Sequence, residues 1–196
     1  QAAAYGDVVE EVDVRTGVLM AKLKALGLDR DTVVFVTSDN GPWFEGSSGP
    51  LRDRKGGAGW DGGYRVPFIA WGPGRIPAGR VSGEIAMNID LLPTLTAMAG
   101  KPPPAGVELD GRDLTAVLTK GAKSPHDELI LFNNEKVAAV RTDRWKYVVM
   151  SYYREIEAPL AFRNAEHLTD MRADPAEVYN LSALHVGHHV RMQGRE

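Results

Sequence analysis

A helix pattern followed, after a short turn, by a run of mostly β-branched residues restricts this chain to few architectures. Apolar residues recur at helical spacing over residues 6–26, and Gly27 is placed to end the helix. After a short turn, residues 32–37 read Thr-Val-Val-Phe-Val-Thr, which is typical of a strand buried on both faces of a parallel sheet. A helix, a turn and a buried strand are half of an α/β layer unit, so the sequence predicts an α/β fold with a mostly parallel sheet.

The middle of the chain adds a long loop, a strand and a helix. Residues 39–65 are rich in glycine and show little periodicity, and loops of this length in compact domains are often functional. Residues 66–71 predict a strand, which Pro67 places near a sheet edge or at the start of the strand. Residues 89–99 have one apolar face and predict a helix, with Asp90 as its candidate N-cap.

A different pattern begins near residue 120. Short strand patterns separated by polar turns follow one another closely and favour an antiparallel meander, at residues 129–132, 137–140, 145–149 and 167–170. We therefore predict two units. Residues 1–118 form part of a large α/β domain, and residues 119–196 form a small antiparallel sheet with a helix.

Composition and charge exclude several functions. The formal net charge is −3 and no stretch is polybasic, so the sequence predicts no nucleic-acid partner. No apolar run approaches the roughly 18 residues of a membrane span. Cysteine is absent, which excludes disulfides and thiolate metal sites but does not decide the compartment. The chain opens Gln-Ala-Ala-Ala without an initiator Met, and we interpret it as a fragment of a longer protein.

The first candidate functional residues follow the first strand pattern. Ser38, Asp39, Asn40 and Gly41 lie at its carboxyl end, where open α/β sheets bind ligands. The carboxylate of Asp39 and the amide oxygen of Asn40 suit Ca²⁺ or Mg²⁺ better than Zn²⁺. The same residues are also common in ordinary turns, so this pattern alone leaves both interpretations open.

A lysine in the glycine-rich loop is the second candidate. Lys55 directly precedes two glycines, and a lysine in such a loop can approach an anion together with nearby backbone amides. An isolated Lys55 is more simply explained as a solvated surface charge. Its interpretation therefore depends on the surrounding motifs.

Taken together, these motifs resemble those of the sulfatase family. The shared order is a strand with Ser-Asp-Asn-Gly, then Gly-Pro-Leu-Arg-x-x-Lys-Gly, then Gly-Gly-x-Arg-x-Pro, then a strand ending in Trp-Gly-Pro-Gly. The resemblance continues through residues 88–95, 109–114, 140–147 and 174–181, so it covers nearly the whole chain. Each motif is short, but their order along the chain is specific.

The resemblance implies an alkaline-phosphatase-like α/β sandwich that hydrolyses a sulfate ester. It implies that Asp39 and Asn40 bind a divalent cation, usually Ca²⁺, with Mg²⁺ as the alternative. Lys55 matches the lysine that binds the sulfate oxygens and stabilises charge on the leaving group, so it is the expected catalytic and substrate-binding residue. Asp61 and Arg65 are expected to make structural ion pairs, and the family more often has a glutamate at the position of Asp61.

The nucleophile of the family is missing. Sulfatases use a formylglycine made from the Cys or Ser of Cys/Ser-x-Pro-x-Arg, near the amino end of the protein. Residues 48–52 match this motif formally through Ser48, but they already align with the lysine-bearing loop, so we reject Ser48 as the nucleophile. We expect the chain alone to be inactive. We also expect it to need the missing amino-terminal half, or self-association, to cover its apolar faces and sheet edges.

Two other functions stay open from the sequence. A phosphonate or phosphate monoester hydrolase of the same superfamily would share the fold, although members with paired transition metals tend to have His where Asn40 stands. A non-catalytic scaffold fragment is the other alternative, and the residues upstream of Gln1 would distinguish it. The resemblance favours an exported protein.

Several nearby residues have simpler interpretations. His126 is expected to be a turn or surface residue. Trp43, Trp60 and Tyr64 flank the glycine-rich loop, and they are expected either to line a substrate pocket or to pack in the core or its rim.

Overall fold

The structure, a computed structural model, describes residues 2–56, 58–101, 106–150 and 166–184. A long helix and a two-stranded sheet come first, short helices follow, and a four-stranded sheet completes the described part. In chain order the elements are α1 (Ala2–Ala25), β1 (Val34–Thr37), α2 (Asp61–Tyr64), β2 (Phe68–Trp71), a 3₁₀ helix (Asn88–Asp90), α3 (Leu91–Met98), α4 (Thr115–Lys120), β3 (Glu128–Asn133), β4 (Lys136–Thr142), β5 (Trp145–Val148) and β6 (His167–Asp170).

The first two strands lie where the sequence predicts them, but they pair antiparallel. Val34 is opposite Trp71 and Thr37 is opposite Phe68 in the register of β1 and β2. The expected burial of β1 on both faces is wrong, because three of its residues are half-buried and Thr37 is exposed. A mostly parallel sheet is not formed among the described residues. The β-branched residues predict that a strand forms. They do not predict whether its neighbour in the sheet is parallel or antiparallel, because that neighbour is distant in sequence.

Helix α1 is well formed but little packed. Gly27, at φ 67°, ends it in a Schellman arrangement: its N–H donates to Lys24 O, and the Leu28 N–H donates to Leu23 O. Most apolar residues of the predicted amphipathic face are more than half exposed, namely Val8, Val9, Val12, Leu19 and Leu26, whereas Leu23 is half-buried. No described helix combines the length and the apolar character needed to cross a bilayer.

The carboxy-terminal sheet is the antiparallel meander that the sequence predicts. Its strands are neighbours in chain order, from β3 to β6, and each adjacent pair is antiparallel. Gly59 lies so close to β4 that a Cβ on it would be 2.6 Å from Ala138 O. The glycine-rich segment and the sheet share one buried apolar cluster, formed by Ala58, Trp60, Leu129, Leu131, Ala138, Ala139, Val148 and Met150. This core therefore joins the lysine-bearing loop to the small sheet.

Two polar residues near α3 differ from expectation. Asp90 makes no side-chain capping bond to α3. Its fully buried carboxylate instead accepts hydrogen bonds from the backbone N–H groups of Met87 (2.7 Å) and Arg112 (2.8 Å). Its Oδ1 also lies 2.8 Å from His126 Nε2, and the His126 side chain is only 8% exposed. The expected surface position of His126 is therefore wrong. The sequence could not show this burial, because the partner of His126 lies far away in sequence.

The predicted division into two units stays a prediction. The sequence patterns do not predict helix α4, which spans residue 118, the predicted boundary between the units. The described residues after Lys120 contain strands and turns but not the helix predicted for the small sheet. Residues 151–165 and 185–196 lie outside the described part of the chain.

Candidate functional site

The candidate site lies where β1 ends, against the backbone of the glycine-rich segment. The Gly41 N–H donates to Gly63 O (2.9 Å), and a Cβ on Gly41 would lie 1.8 Å from Gly62 O. The Gly62 N–H donates to Arg52 O (2.7 Å), and a Cβ on Gly62 would lie 2.3 Å from that oxygen. Three backbone segments are therefore stacked in direct contact, and only glycine fits at the two contact points.

Asp39 and Asn40 occupy a turn that local hydrogen bonds stabilise. Asn40 Nδ2 donates to Asp39 O (2.7 Å), and the Ser38 hydroxyl donates to Asn40 O (2.9 Å). Because the amide nitrogen is the donor in this bond, the amide oxygen of Asn40 is the atom that can bind a cation. Asn88 Nδ2 supports the turn from the 3₁₀ helix by donating to Ser38 O (3.0 Å). Sequence reasoning missed this role, although Asn88 belongs to one of the motifs of the resemblance.

Lys55 lies beside Asp39, although 16 residues separate them. Its Nζ is 3.1 Å from Asp39 Oδ2, and its backbone N–H donates to Pro42 O (2.9 Å). The hydrogen bond from Lys55 holds the pKa of Asp39 below its usual value, so this carboxylate is ionised at neutral pH. The side chains of Lys55 and Asp39 are 43% and 74% exposed. The fold thus brings Lys55 into contact with Asp39, the neighbour of Asn40 in the turn.

The donors at this turn fit a hard divalent cation in kind but not in number. Ca²⁺ binds about six to eight oxygens, whereas Asp39 and Asn40 supply one carboxylate and one amide group. Across the described ranges, no cluster of three or more His, Asp or Glu side chains could hold a metal ion. A cation at this turn would therefore need further oxygen ligands, from water, from backbone carbonyls or from other parts of the protein.

Ser48 is bound within its own loop. Its hydroxyl lies 2.9 Å from Leu51 O and 2.8 Å from Asp53 O. A hydroxyl that shares its hydrogen between two backbone carbonyls stabilises a tight turn and is poorly placed to attack a substrate. This geometry supports the rejection of Ser48 as a nucleophile.

Asp61 makes a structural ion pair, as expected, and its partner comes from the small sheet. Lys146 Nζ lies 2.6 Å from Asp61 Oδ1 and 2.9 Å from Glu177 Oε1, and all three residues are buried. Arg65 is exposed, and within the described part of the chain it makes no ion pair. Sequence reasoning missed Lys146 and Glu177, because a lysine in a strand and a glutamate in a turn give no local sign of a shared buried partner.

The three aromatic residues of this region have different environments. Trp43 is 47% exposed, and its ring carbon Cζ3 would lie 3.7 Å from a Cβ on Gly56, next to Lys55. Trp60 is buried in the core, and Tyr64 is half-buried against it. Of the three, Trp43 is therefore the one that can form part of a binding surface.

The fold places the chain in the class of alkaline-phosphatase-like α/β proteins. Its structure superposes on the crystal structure of PsFucS1 sulfatase from Pseudoalteromonas sp. with a TM-score of 0.75 and 28% sequence identity. The superposition covers 96% of this chain and 42% of that one. The predicted α/β, alkaline-phosphatase-like fold class is confirmed, although the strands of the described residues pair antiparallel.

The chain belongs to the sulfatase family. It matches the family described as Sulfatase over residues 1–101, and the family described as N-sulphoglucosamine sulphohydrolase, C-terminal, over residues 59–193. It is 38% identical to arylsulfatase A of Homo sapiens over 90% of this chain, and 37% identical to N-acetylgalactosamine-6-sulfatase of Canis lupus familiaris over 74% of it. The aligned regions span only 38% and 29% of those two relatives.

Proposed function

We propose that the full-length protein hydrolyses sulfate esters, and that this chain supplies part of its cation site and its sulfate-binding lysine. The observation that most directly supports this is the 3.1 Å contact between Lys55 Nζ and the Asp39 carboxylate at the end of β1. Membership of the sulfatase family supports the same reaction class. Family resemblance is also the basis for proposing that the protein is exported.

In this proposal the residues of the turn and of the loop have different roles. Asp39 and Asn40 provide a carboxylate and an amide oxygen to Ca²⁺, with Mg²⁺ as the alternative. When bound, the cation supplies positive charge that polarises the sulfate oxygens. Lys55 binds those oxygens and stabilises the negative charge that develops on the leaving oxygen as the S–O bond breaks. The ionised state of Asp39, which Lys55 favours, is the state that a cation ligand requires.

This chain is proposed to be inactive alone. It contains no cysteine, and its Ser48 hydroxyl is bound within a turn. The nucleophile, a formylglycine, and the remaining cation ligands would then belong to the part of the relatives that this chain does not span. The exposed apolar face of α1 would pack against that part, or against a second copy of the chain.

The proposed substrate is a sulfate ester of an alcohol that contains a ring. Trp43 and Phe44 are exposed beside the lysine-bearing loop, with their ring centroids 4.9 Å apart. Aromatic side chains of this kind provide a surface that can stack on a flat ring. Arylsulfatase A and N-acetylgalactosamine-6-sulfatase are both named for substrates that contain rings.

The test compares the hydrolysis of nitrophenyl sulfate and nitrophenyl phosphate by the full-length protein in Ca²⁺. We expect the sulfate to be preferred, and we expect Lys55→Met to lower kcat/KM by about 10²- to 10³-fold, as for other groups that stabilise transition-state charge. Lys120→Met is the matched control, because Lys120 is an exposed lysine at the end of α4. It should leave kcat/KM unchanged.

Three other outcomes would each contradict a different part of the proposal. A preference for nitrophenyl phosphate would favour the phosphate or phosphonate hydrolase. A protein that hydrolyses neither compound and lacks the nucleophile motif upstream of Gln1 would be a scaffold. Full activity of Lys55→Met would remove Lys55 from the mechanism.

A further inference from the structure

We propose that Lys146 and Glu177 are positioning residues for the candidate site. Together with Asp61 they form a buried cluster of charges, which we call the ion triad. The ion triad holds the glycine-rich segment against the turn that contains Asp39 and Asn40. Its effect on catalysis rests on the proposed function, whereas its effect on the structure of the turn does not.

The ion triad joins three segments that are distant in sequence. Lys146, in β5, reaches Asp61 at the start of α2 (2.6 Å) and Glu177 in the turn after β6 (2.9 Å). The backbone N–H of Asp61 also donates to Glu177 Oε2 (2.7 Å). The side chains of Lys146 and Glu177 are fully buried and that of Asp61 is 6% exposed, so water does not screen these charges.

The path from the ion triad to the site consists of backbone contacts. Asp61 is followed by Gly62 and Gly63, whose backbone groups contact two other segments, the turn at the end of β1 and the lysine-bearing loop. The Gly63 carbonyl accepts the Gly41 N–H, and the Gly62 N–H donates to Arg52 O. A shift of α2 therefore moves both the cation-binding turn and the lysine-bearing loop.

A second path runs through the turn after β6. Glu177 O accepts a hydrogen bond from Arg52 Nη1 (2.7 Å). The Arg52 guanidinium lies 3.6 Å from the ring centroid of Trp60, within the buried cluster. Glu177 thus contacts the lysine-bearing loop directly, as well as through Asp61.

The need to fill space in the core does not explain a buried lysine. Removing a charge from water is costly unless its partners are placed to receive each hydrogen bond, so a buried ion cluster tolerates few geometries. Apolar side chains of the same size would fill this volume with less directional restriction. By restricting the positions of its partners, the ion triad would hold the catalytic loop in place. This matters because small displacements of reacting groups greatly lower the rate.

The experiment removes the charges of the ion triad and follows both structure and rate. The variants are Lys146→Met, and a charge-free triple substitution of Asp61→Asn, Lys146→Met and Glu177→Gln for the case in which the single variant does not fold. Arg144→Gln is the matched control, since the half-exposed Arg144 side chain pairs with Asp170 of the same sheet and lies outside the ion triad. Hydrogen–deuterium exchange is measured on the full-length protein over residues 39–56, with α3 as the internal reference, together with kcat/KM for nitrophenyl sulfate.

We expect exchange over residues 39–56 to be about tenfold faster in a folded variant, with exchange in α3 unchanged. We expect kcat/KM to fall about 10- to 100-fold, and Arg144→Gln to change it by less than about twofold. Unchanged exchange over residues 39–56, or equal acceleration throughout the protein, would overturn the proposal. So would unchanged kcat/KM. If the wild-type protein hydrolyses no sulfate ester, the proposed function fails, and the exchange data still decide whether the ion triad positions the turn.

Discussion

At the residue scale, burial changes the chemistry of His167. This residue is 8% exposed, and its ring meets the Trp60 ring edge-on, with the centroids 5.0 Å apart. Burial and, to a smaller extent, the positive charge of Arg52 lower the pKa of His167 to about 4. The ring is therefore neutral at physiological pH. We interpret it as a structural residue of the interface between the loop and the sheet.

His167 should make stability fall as the solution is acidified from pH 6.5 to 4. In this range the unfolded chain binds a proton at the ring and the folded chain does not, so acid favours the unfolded state. At pH 4.5 the loss is on the order of 2 kcal/mol. Urea unfolding at pH 7 and pH 4.5 measures it, and His167→Gln should lose less stability between these values than the wild type. Equal losses in the two proteins would show that the ring is not buried in its neutral form.

At the element scale, the closeness of backbone segments decides where the functional residues lie. Helix α2 has only four residues and is held in place by contacts at its two glycines rather than by its own length. A side chain on Gly62 would be 2.2 Å from Asp53 O and 2.3 Å from Arg52 O. The segment that contains Lys55 can approach α2 only because these positions are glycine.

Gly62→Ala should therefore destabilise the protein by about 1–3 kcal/mol or more, the usual range for overpacking. Backbone oxygens cannot rotate away from the new methyl group, so the loop must shift. Gly83→Ala is the matched control, since a Cβ on Gly83 meets no atom within 4 Å. Chemical denaturation measures both variants. A Gly62→Ala protein as stable as Gly83→Ala would show that the loop is not packed as described.

At the scale of the whole molecule, the exposed face of α1 is the dominant feature. This helix is 24 residues long, and its valines and Leu19 are more than half exposed and belong to neither buried cluster. Such an apolar surface usually marks an interface. Relatives that are more than twice as long as the region aligned with this chain have additional segments that could cover it.

The chain alone is accordingly expected to self-associate. Gel filtration should show species larger than a monomer of 21.4 kDa. Replacing Val8, Val12 and Leu19 by Gln should shift the profile towards the monomer, because it removes the apolar stripe and keeps the helix. A compact monomer that unfolds cooperatively, with α1 unchanged, would contradict both this expectation and the need for a missing half.

Local sequence patterns predict most of the elements and the main candidate residues, but not the short helices α2 and α4. The helical period of α1, the β-branched run of β1 and the closely spaced strand patterns after residue 120 are local signals, because propensity and side-chain period act over a few residues. The choice of Asp39, Asn40 and Lys55 depended on the order of short motifs, which is also visible in the sequence. The structure shows a 3.1 Å contact between Lys55 and Asp39, whereas the binding roles of the three residues stay predictions.

Contacts between distant residues are visible only in the folded protein. The antiparallel pairing of β1 with β2, the contact of Asp90 with His126, and the burial of Lys146 all depend on segments far apart in sequence. A lysine has the same local pattern whether it is solvated or buried between two carboxylates. The physical reason is that burial and ion pairing are properties of the folded environment, in which the desolvation of one group is offset only by partners that the whole fold supplies.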